Sequence, residues 1–448
     1  LKLGVVKFNS MRKYYQAALA VTAIVSLVSL LVYRHEYNKL RYVLEVFNYF
    51  GKPNQKNIES NCTNNVPVFA KFNAKFEEPF SSWQRLDNEL YVYSAYNVYE
   101  KEVQVIGFGS QNSIKDMQCV IFFENEIKPT LGTFKYVLID SNTNVTHADK
   151  RSNYSGYRFY CTYTKDKVPV GITFLTKSNT NLNDTPILSI RSALHNSNQT
   201  NVAVCVTPPL IKPMHVSEMV AFINFHDIIG MDNFVVYDFG IPNEFSSTLK
   251  ELSKTPNPYW KFTYTTVPWN FPFVGIHPDI VKDLIQADCL YRTYNKVRYI
   301  VALSWEEYVV LRYHHSLVDL MGDFKRSKLK ADRYKLKTLT FCTQQTDSAL
   351  VKNLPFTIFK KTQFDPSIID NRPIYVYNGH NPLKKDNIYT RNIGKDLVTV
   401  NRYKYCFEKP NPETGTQDTS ILRFKEDIQN SPMFKKFIIE NKTLVKKR

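Results

Sequence analysis

The feature that most constrains the fold is an alternation of short strand-like runs and helical segments after residue 201. Four runs are apolar, or rich in β-branched and aromatic residues, and are typical of buried strands: Val202–Val206, Phe234–Tyr237, Phe262–Val267 and Tyr299–Leu303. Three segments between them have helical character: Ser217–Ile229, Ile241–Leu252 and Ile280–Leu290. This rhythm predicts a parallel α/β sheet with right-handed crossovers.

The ends of these predicted strands carry polar side chains. Thr207 follows the first run, Asp238 ends the second, and Ser304–Glu307 follows the fourth. Ligands of open α/β sheets bind outside the carboxyl ends of the strands. The sequence therefore predicts a binding site that these residues share.

A different pattern precedes residue 199. Leu90–Ser110 and three later runs have the partial alternation and the β-branched and aromatic content of strands: Cys119–Phe123, Phe134–Ile139 and Tyr157–Tyr163. We expect a β-rich N-terminal lumenal region over 75–198. The polar, irregular section over 34–74 reads as a stem.

A charge-free apolar segment near the N-terminus predicts a transmembrane signal-anchor over 14–33. Lys2, Lys7, Arg12 and Lys13 precede it, so residues 1–13 are expected to stay cytosolic and the rest to lie in the lumen. A cleaved signal peptide is the alternative. Its apolar core would be shorter and would end at a small-x-small site, whereas Ala18-Leu19-Ala20 lies at the start of this segment. The sequence thus predicts a type II membrane protein of the Golgi or another secretory membrane.

Glycosylation sequons agree with a lumenal body, although each is weak alone because the tripeptide is common. They begin at Asn61, Asn144, Asn153, Asn183, Asn198 and Asn441. Seven cysteines include no CxxC pair, so a zinc site is not expected, and their spacing leaves any disulfide pairing open. Cys205 and Cys289 stand in apolar surroundings, as plain buried thiols would.

The chain is strongly basic, with a formal net charge of +17. A basic surface favours anionic partners such as headgroups, sugar nucleotides or nucleic acid. The charge is spread along the chain, and no zinc finger, basic zipper or RNP-like string accompanies it. We therefore expect no nucleic-acid partner, and we read residues 431–448 as a basic C-terminal tail.

Three strings together resemble glycosyltransferase family 92. LYVYSAY over 90–96 is similar to the family's SAY strand, and the section from VAVCVTPPL to FVVYD over 202–238 is similar to its first strand, helix and second strand. The third string, ADCLYRTYNKVRYIVALSWEEYVVL over 287–311, resembles the family's DCL to DxDE stretch. The resemblance runs in patches from about Leu90 to Phe424.

The resemblance implies a GT-A-like nucleotide-sugar domain over 199–430. It also implies transfer of a sugar, with galactose the family-level guess, from a UDP-sugar to a glycan or glycoprotein acceptor. In metal-dependent members a DxD motif holds Mn²⁺, which neutralises the leaving diphosphate. Here the corresponding string is Ser304-Trp305-Glu306-Glu307, so both aspartates are absent. The resemblance therefore implies Mn²⁺ as a cofactor, but this string lacks both aspartates that would bind it.

Each candidate residue has a functional and a structural interpretation. Glu306 is the candidate metal or diphosphate ligand and Glu307 the candidate general base, although two glutamates can also begin a helix. Asp238 could hold the nucleoside or merely start a turn. Asp288 could lie near the diphosphate or pair with Arg292 on a helix surface. Thr207 and Ser304 complete the predicted nucleotide-sugar site.

Two further functions remain open. The missing aspartates favour an inactive relative that binds a glycan or a protein partner as a scaffold. A surface adhesion or receptor domain would explain the anchor and the sequons but not the strand–helix rhythm after Val202.

Overall fold

The structure is a computed structural model that describes residues 81–440 with gaps, together with Thr22, Val25, Ser26, Val28 and Ser29. The gaps are 125, 127, 140–153, 177–179, 183–184, 193–199, 209–213, 255–261, 274–275, 277, 346, 349–355, 369–371, 381–387 and 407–414. The predicted cytosolic tail, the stem and the asparagines of all six sequons lie outside the described residues. So does the predicted anchor, apart from those five residues. Among the residues described, no helix combines the length and apolarity that crossing a bilayer requires.

The two large sheets and one two-stranded sheet of the described residues belong to one compact unit, Val68–Arg448. The first has the strand order β1-β2-β3-β6-β5-β4-β7-β8, and β8 also pairs with β2, with Ile190 beside Ala95. This additional pairing closes the sheet around its own apolar core. Its strands are β1 Gln84–Asp87, β2 Leu90–Tyr99, β3 Glu102–Ser110, β4 Gln118–Phe123, β5 Thr130–Leu138, β6 Tyr154–Thr162, β7 Pro169–Leu175 and β8 Leu188–Ser192.

The second sheet carries the predicted parallel core. The described strands from residue 200 onward are β9 Thr200–Thr207, β10 Asn233–Asp238, β11 Thr263–Pro268, β12 Val297–Ser304, β13 Glu307–Leu311, β14 Arg333–Cys342, β15 Gln363–Phe364, β16 Ile374–Asn378, β17 Thr390–Asn392, β18 Val398–Lys404 and β19 Thr416–Gln417. The order is β11-β10-β9-β12-β16-β14-β18-β13, with β17 beside β14, while β15 and β19 pair separately. Strands β11, β10, β9 and β12 are mutually parallel, as the sequence rhythm predicts.

The helices connect these strands. They are α1 Val216–Ile228, α2 Asn243–Lys254, α3 Pro278–Arg292, α4 Leu317–Arg326, α5 Thr357–Lys360, α6 Lys425–Asn430 and α7 Pro432–Phe434. Short 3₁₀ turns span Gln111–Ser113 and Ser420–Phe424, and a π turn spans Lys435–Glu440. Gly230 follows the end of helix α1, and its φ of 82° suits a residue without a Cβ.

Strand β9 shows how the layers are built. Val202, Val204 and Val206 face the large core that includes α1 and α2, whereas Ala203 and Cys205 face the core that includes α3. Alternate side chains of a strand point to opposite faces, so a run that is apolar at every position must be covered on both sides. The first core also takes Met433, Phe434 and Phe437, which lie in the predicted C-terminal tail.

Three disulfides join elements that are distant in sequence. Cys119 pairs with Cys161, Cys205 with Cys289, and Cys342 with Cys406. The prediction that Cys205 and Cys289 are plain buried thiols is wrong, because the bond links β9 to α3 inside the core. Their apolar neighbours describe the burial correctly but carry no information on the partner.

A buried carboxylate connects the two sheets. Asp288 on α3 is fully buried and pairs with Arg292, whose Nε and Nη2 lie 3.0 and 2.9 Å from Oδ2. The Tyr96 hydroxyl donates to Oδ1 at 2.6 Å, and Ser94 and Tyr237 also donate to this carboxylate. The SAY string of β2 and the DCL string of α3 therefore meet in one polar cluster.

This cluster changes the interpretation of Asp288. Its carboxylate has no exposed surface, and both of its oxygens accept hydrogen bonds. The interactions with Arg292 and the three hydroxyls hold its pKa below the ordinary value, although burial acts in the opposite direction. The predicted pairing with Arg292 is present, but it lies in the core and not on a helix surface. A nucleotide cannot reach Asp288, so we assign it a structural role.

We expect Tyr96→Phe to lower the free energy of unfolding by about 1–3 kcal/mol, because a buried carboxylate loses one of its donors. Tyr136→Phe is the matched control, since Tyr136 lies in the same sheet and is 36% exposed. Chemical denaturation of both variants measures the difference. Residues 200–446 expressed alone should not unfold cooperatively, because they lack Ser94 and Tyr96. Cooperative unfolding of that fragment with full stability would contradict this role.

Candidate active site

The parallel part of the second sheet changes direction between β9 and β12. From β9 the chain proceeds outward through β10 to β11, and β12 then adds on the other side of β9. The register places Ser304 directly beside Thr207 at the carboxyl ends of these strands. Such a reversal leaves a crevice outside the strand ends, where nucleotides bind in open α/β sheets. Two of the predicted site residues thus share this crevice.

Trp305 and Glu306 form a two-residue link between β12 and β13. The Glu307 carboxylate folds back, and its Oε2 accepts a hydrogen bond from the Ser304 amide at 2.7 Å. Strand β13 begins at Glu307 and pairs with β18, with Arg402 beside Glu307. The alternative in which the two glutamates begin a helix is wrong, because the chain enters a strand here.

Glu307 is the centre of a buried ion cluster. Its carboxylate accepts from the Lys282 ammonium on α3 and, at 2.9 Å, from Arg402 Nε on β18. Glu307 is 1% exposed. Burial alone would raise its pKa, but the charges of Lys282 and Arg402 outweigh burial and lower the pKa to about 2. An anion held in this way is a poor proton acceptor.

Glu306 has the opposite surroundings. Its side chain is partly exposed and borders a cleft, and its carboxylate makes no hydrogen bond or ion pair among the residues described. Burial, followed by the neighbouring Glu307 charge, raises the pKa of Glu306 to about 7. A carboxyl group that titrates near neutral pH can take up and release a proton. Of the two glutamates, Glu306 therefore has the properties of a base.

The cleft beside Glu306 has a volume of about 190 Å³. Its aromatic lining comes from Trp305, Tyr308, Tyr403 and Tyr405, of which Tyr405 is 52% exposed. Glu218, near the start of α1, also borders the cleft. The Cys342–Cys406 disulfide ties the end of β14 to the segment after Tyr405, and so holds this side of the cleft.

The remaining predicted site residues, Asp238 and Thr207, lie at the ends of β10 and β9. Asp238 is partly exposed, and its Oδ1 accepts from the amides of Gly240 and Ile241 at 2.9 and 2.8 Å. It therefore shapes the turn after β10. Thr207 is buried, and its hydroxyl has no hydrogen-bond partner within the described part of the chain.

The donor set at this site does not fit Mn²⁺. The Glu307 oxygens are occupied by Lys282, Arg402 and the Ser304 amide, so Glu306 is the one remaining carboxylate of the string. Within the described ranges, no group of three His, Cys, Asp or Glu side chains could hold a metal ion. The described residues place two carboxyl groups, Glu306 and Glu218, on the cleft, which is fewer than the several oxygen ligands from which a dedicated manganese site is built.

Three residues of the site had not been singled out from the sequence. Lys282 occupies the buried face of α3, Arg402 lies inside β18, and Glu218 stands in the first turn of α1. Glu218 had a usable signal, because the helix after the first strand of a parallel sheet begins at the carboxyl edge. No sequence signal pointed to Lys282 or Arg402, because their partner Glu307 is 25 and 95 residues away from them.

We expect Glu307→Gln to lower the free energy of unfolding by about 3–5 kcal/mol, because Lys282 and Arg402 would remain buried without their anion. Glu306→Gln is the matched control, one residue away and without an ion pair, and should change stability by less than about 1 kcal/mol. Equal losses in a denaturation experiment would refute the proposed difference between the two glutamates.

The same two residues should produce opposite pH dependences. Glu307 has a lowered pKa, so its stabilisation is present above about pH 4.5 and is lost as the pH falls towards 2. Glu306 has a raised pKa, so as the pH rises the folded chain releases this proton at a higher pH than the unfolded chain does. The free energy of unfolding therefore falls as the pH rises from about 4.5 to 7. Glu306→Gln should flatten the second slope, and an unchanged slope would contradict the placement of Glu306.

Comparison with known proteins locates this site within a family domain. The family model described as glycosyltransferase family 92 matches residues 200–446, which is 247 of 448 residues. No curated protein matches the chain.

Among solved structures, the crystal structure of UDP-glucose pyrophosphorylase complexed with UDP-glucose is similar at 8% identity and a TM-score of 0.20. That alignment covers 52% of this chain and 98% of the other, and a likeness this weak supports no conclusion. The family match begins at β9 and includes the crevice, the ion cluster and the aromatic cleft. Because that match spans more than half of the sequence, the chain belongs to glycosyltransferase family 92.

Proposed function

We propose that this chain transfers a sugar from a UDP-sugar, with UDP-galactose as the first candidate, to a hydroxyl of a glycan or glycoprotein. The observation that supports this most directly is the Glu306 carboxylate, which makes no hydrogen bond or ion pair with the described residues and borders an aromatic cleft at the carboxyl end of β12 inside the family domain. The GT-A type of fold belongs to the same proposal. It is supported by the four parallel strands and their reversal between β9 and β12.

In the proposed reaction, the acceptor hydroxyl oxygen attacks C1 of the donor sugar, with inversion at that carbon. The bond from C1 to the phosphate oxygen breaks, and its electron pair leaves with UDP. Glu306 takes the hydroxyl proton, for which its pKa of about 7 is suited. Glu307, first considered as the base, instead holds the link that carries Glu306.

The donor set does not fit a metal. In the proposed reaction, positively charged side chains therefore offset the charge of the leaving diphosphate. Lys282 and Arg402 carry two positive charges against the single charge of Glu307, and Lys404 lies nearby on the cleft. Fixed positive charge in a site of low polarity stabilises a developing anion more strongly than it would in water.

We also propose that the protein works as a type II membrane protein in the Golgi or another secretory compartment, with the segment over 14–33 as its anchor. Support comes from the three disulfides, which form and persist in oxidising compartments. The sequons and the basic residues before the apolar segment agree with this orientation.

One observation favours a second function. Glu307, which matches the glutamate of the family pattern, is fully occupied by ion pairs, and both aspartates are absent. An inactive relative that binds a glycan or a protein partner would tolerate this arrangement. The two functions differ in whether the chain binds a nucleotide sugar.

Thermal melting of the purified full chain with a panel of UDP-sugars tests donor binding. A donor at about 100 times its Kd should stabilise the protein by about 2.7 kcal/mol. We expect the shift in melting temperature to persist in EDTA, because the described residues include no group of three side chains that could hold a metal ion. A shift that requires Mn²⁺ would contradict the metal-free site, and no shift with any donor would favour the scaffold function.

Glu306→Gln should reduce UDP release in the presence of acceptor glycans by about 100-fold or more, because the reaction loses its base. The donor-induced melting shift should remain, since the variant keeps the crevice. Glu244→Gln is the matched control, because Glu244 is an exposed glutamate in the first turn of α2. Wild-type activity in Glu306→Gln would remove Glu306 from the mechanism.

A further inference from the structure

Glu218 has the features of a second functional carboxyl group in the cleft. It lies in the first turn of α1, is partly exposed, and borders the same cleft as Glu306. Its Oε1 accepts from the Thr357 amide at 3.1 Å and from the Thr357 hydroxyl at 2.7 Å. Its Oε2 makes no hydrogen bond among the residues described. One oxygen is thus fixed to α5, and the other remains to bind a ligand.

Both carboxyl groups are shifted towards the protonated state. Burial raises the pKa of Glu218, although Thr357 acts in the opposite direction, and burial raises that of Glu306 to about 7. Both charges also raise the pKa of the buried Tyr308 hydroxyl, so the two groups act on the same part of the cleft. The Glu306 carboxyl group, which titrates near neutral pH, can donate a hydrogen bond as well as accept one.

The size and lining of the cleft restrict its ligand. A volume of about 190 Å³ lies below the roughly 300–1,000 Å³ of pockets that enclose drug-sized ligands, so the cleft suits a group smaller than a whole nucleotide sugar. Two carboxyl groups also disfavour a diphosphate, because like charges repel. Lys404 borders the cleft and disfavours a cationic ligand. A small neutral molecule with several hydroxyls satisfies all three constraints.

The aromatic side chains suit the apolar faces of such a molecule. Trp305, Tyr308 and Tyr403 are buried and line the cleft, whereas Tyr405 is half exposed. A sugar ring presents C–H groups on its faces and hydroxyls at its edge. It could therefore pack against Tyr405 while its hydroxyls reach the carboxyl groups.

We propose that this cleft binds one neutral sugar ring of the acceptor, and that Glu218 positions the ring by hydrogen bonding to a hydroxyl that does not react. Glu306 then receives the proton of the hydroxyl that does react. The role of the ring as acceptor rests on the proposed transferase function. The binding of the ring depends on the cleft alone.

The test is saturation-transfer NMR of the full chain with methyl glycosides of glucose, galactose, mannose and N-acetylglucosamine, with choline as a cationic competitor. We expect one of the glycosides to bind. Glu218→Ala should weaken its Kd by about tenfold or more, and Glu218→Gln, which keeps a donor and an acceptor, should restore most of the affinity. Glu244→Gln should leave the Kd unchanged, because that glutamate is exposed at the start of α2.

Several outcomes would overturn this proposal. They are the failure of every glycoside to bind to a folded chain, an unchanged Kd in Glu218→Ala, or displacement of the glycoside by choline. The two proposals can fail separately. A UDP-sugar melting shift without glycoside binding would remove the acceptor site alone. Glycoside binding that depends on Glu218, without any donor binding, would remove the transferase function and leave a sugar-binding cleft.

Discussion

The compensation of the Glu307 charge is the interaction on which the candidate site depends. A buried carboxylate without partners would be strongly destabilising, and here Lys282 from α3 and Arg402 from β18 meet it in the core. Because Glu307 also accepts from the Ser304 amide, the same carboxylate closes the link between β12 and β13. The position of Glu306 beside the cleft follows from this closed link.

Helix α3 extends this dependence to the rest of the compact unit. Its buried face carries Lys282 towards the site, Cys289 towards β9, and Asp288 with Arg292 towards the first sheet. Each of these is a specific bond, so the helix cannot shift along the sheet without breaking several at once. The first sheet, which precedes the family match, thus contributes hydroxyl groups that the family domain requires.

The two adjacent glutamates show how strongly the surroundings determine chemistry. Glu307 meets two cations and stays ionised, whereas Glu306 meets apolar surroundings and a neighbouring negative charge, and its pKa rises to about 7. In this family the missing aspartates would suggest a lost metal site and nothing more. The arrangement of Glu306, Glu218 and the aromatic side chains instead supports our proposal that residues of the chain itself take up the proton and bind the sugar.

The sequence by itself determined the parallel strands, the helices between them and the strand ends that form the crevice, because these follow from the local periodicity of apolar residues. It also identified the family through three ordered strings. Only the tertiary structure decided the cysteine pairs, the burial of Asp288 and the different surroundings of Glu306 and Glu307. Each of these depends on residues brought together from distant parts of the chain, such as Glu307 and Arg402, which are 95 positions apart. Local patterns carry no information on such contacts, whereas burial and charge in the folded core determine them.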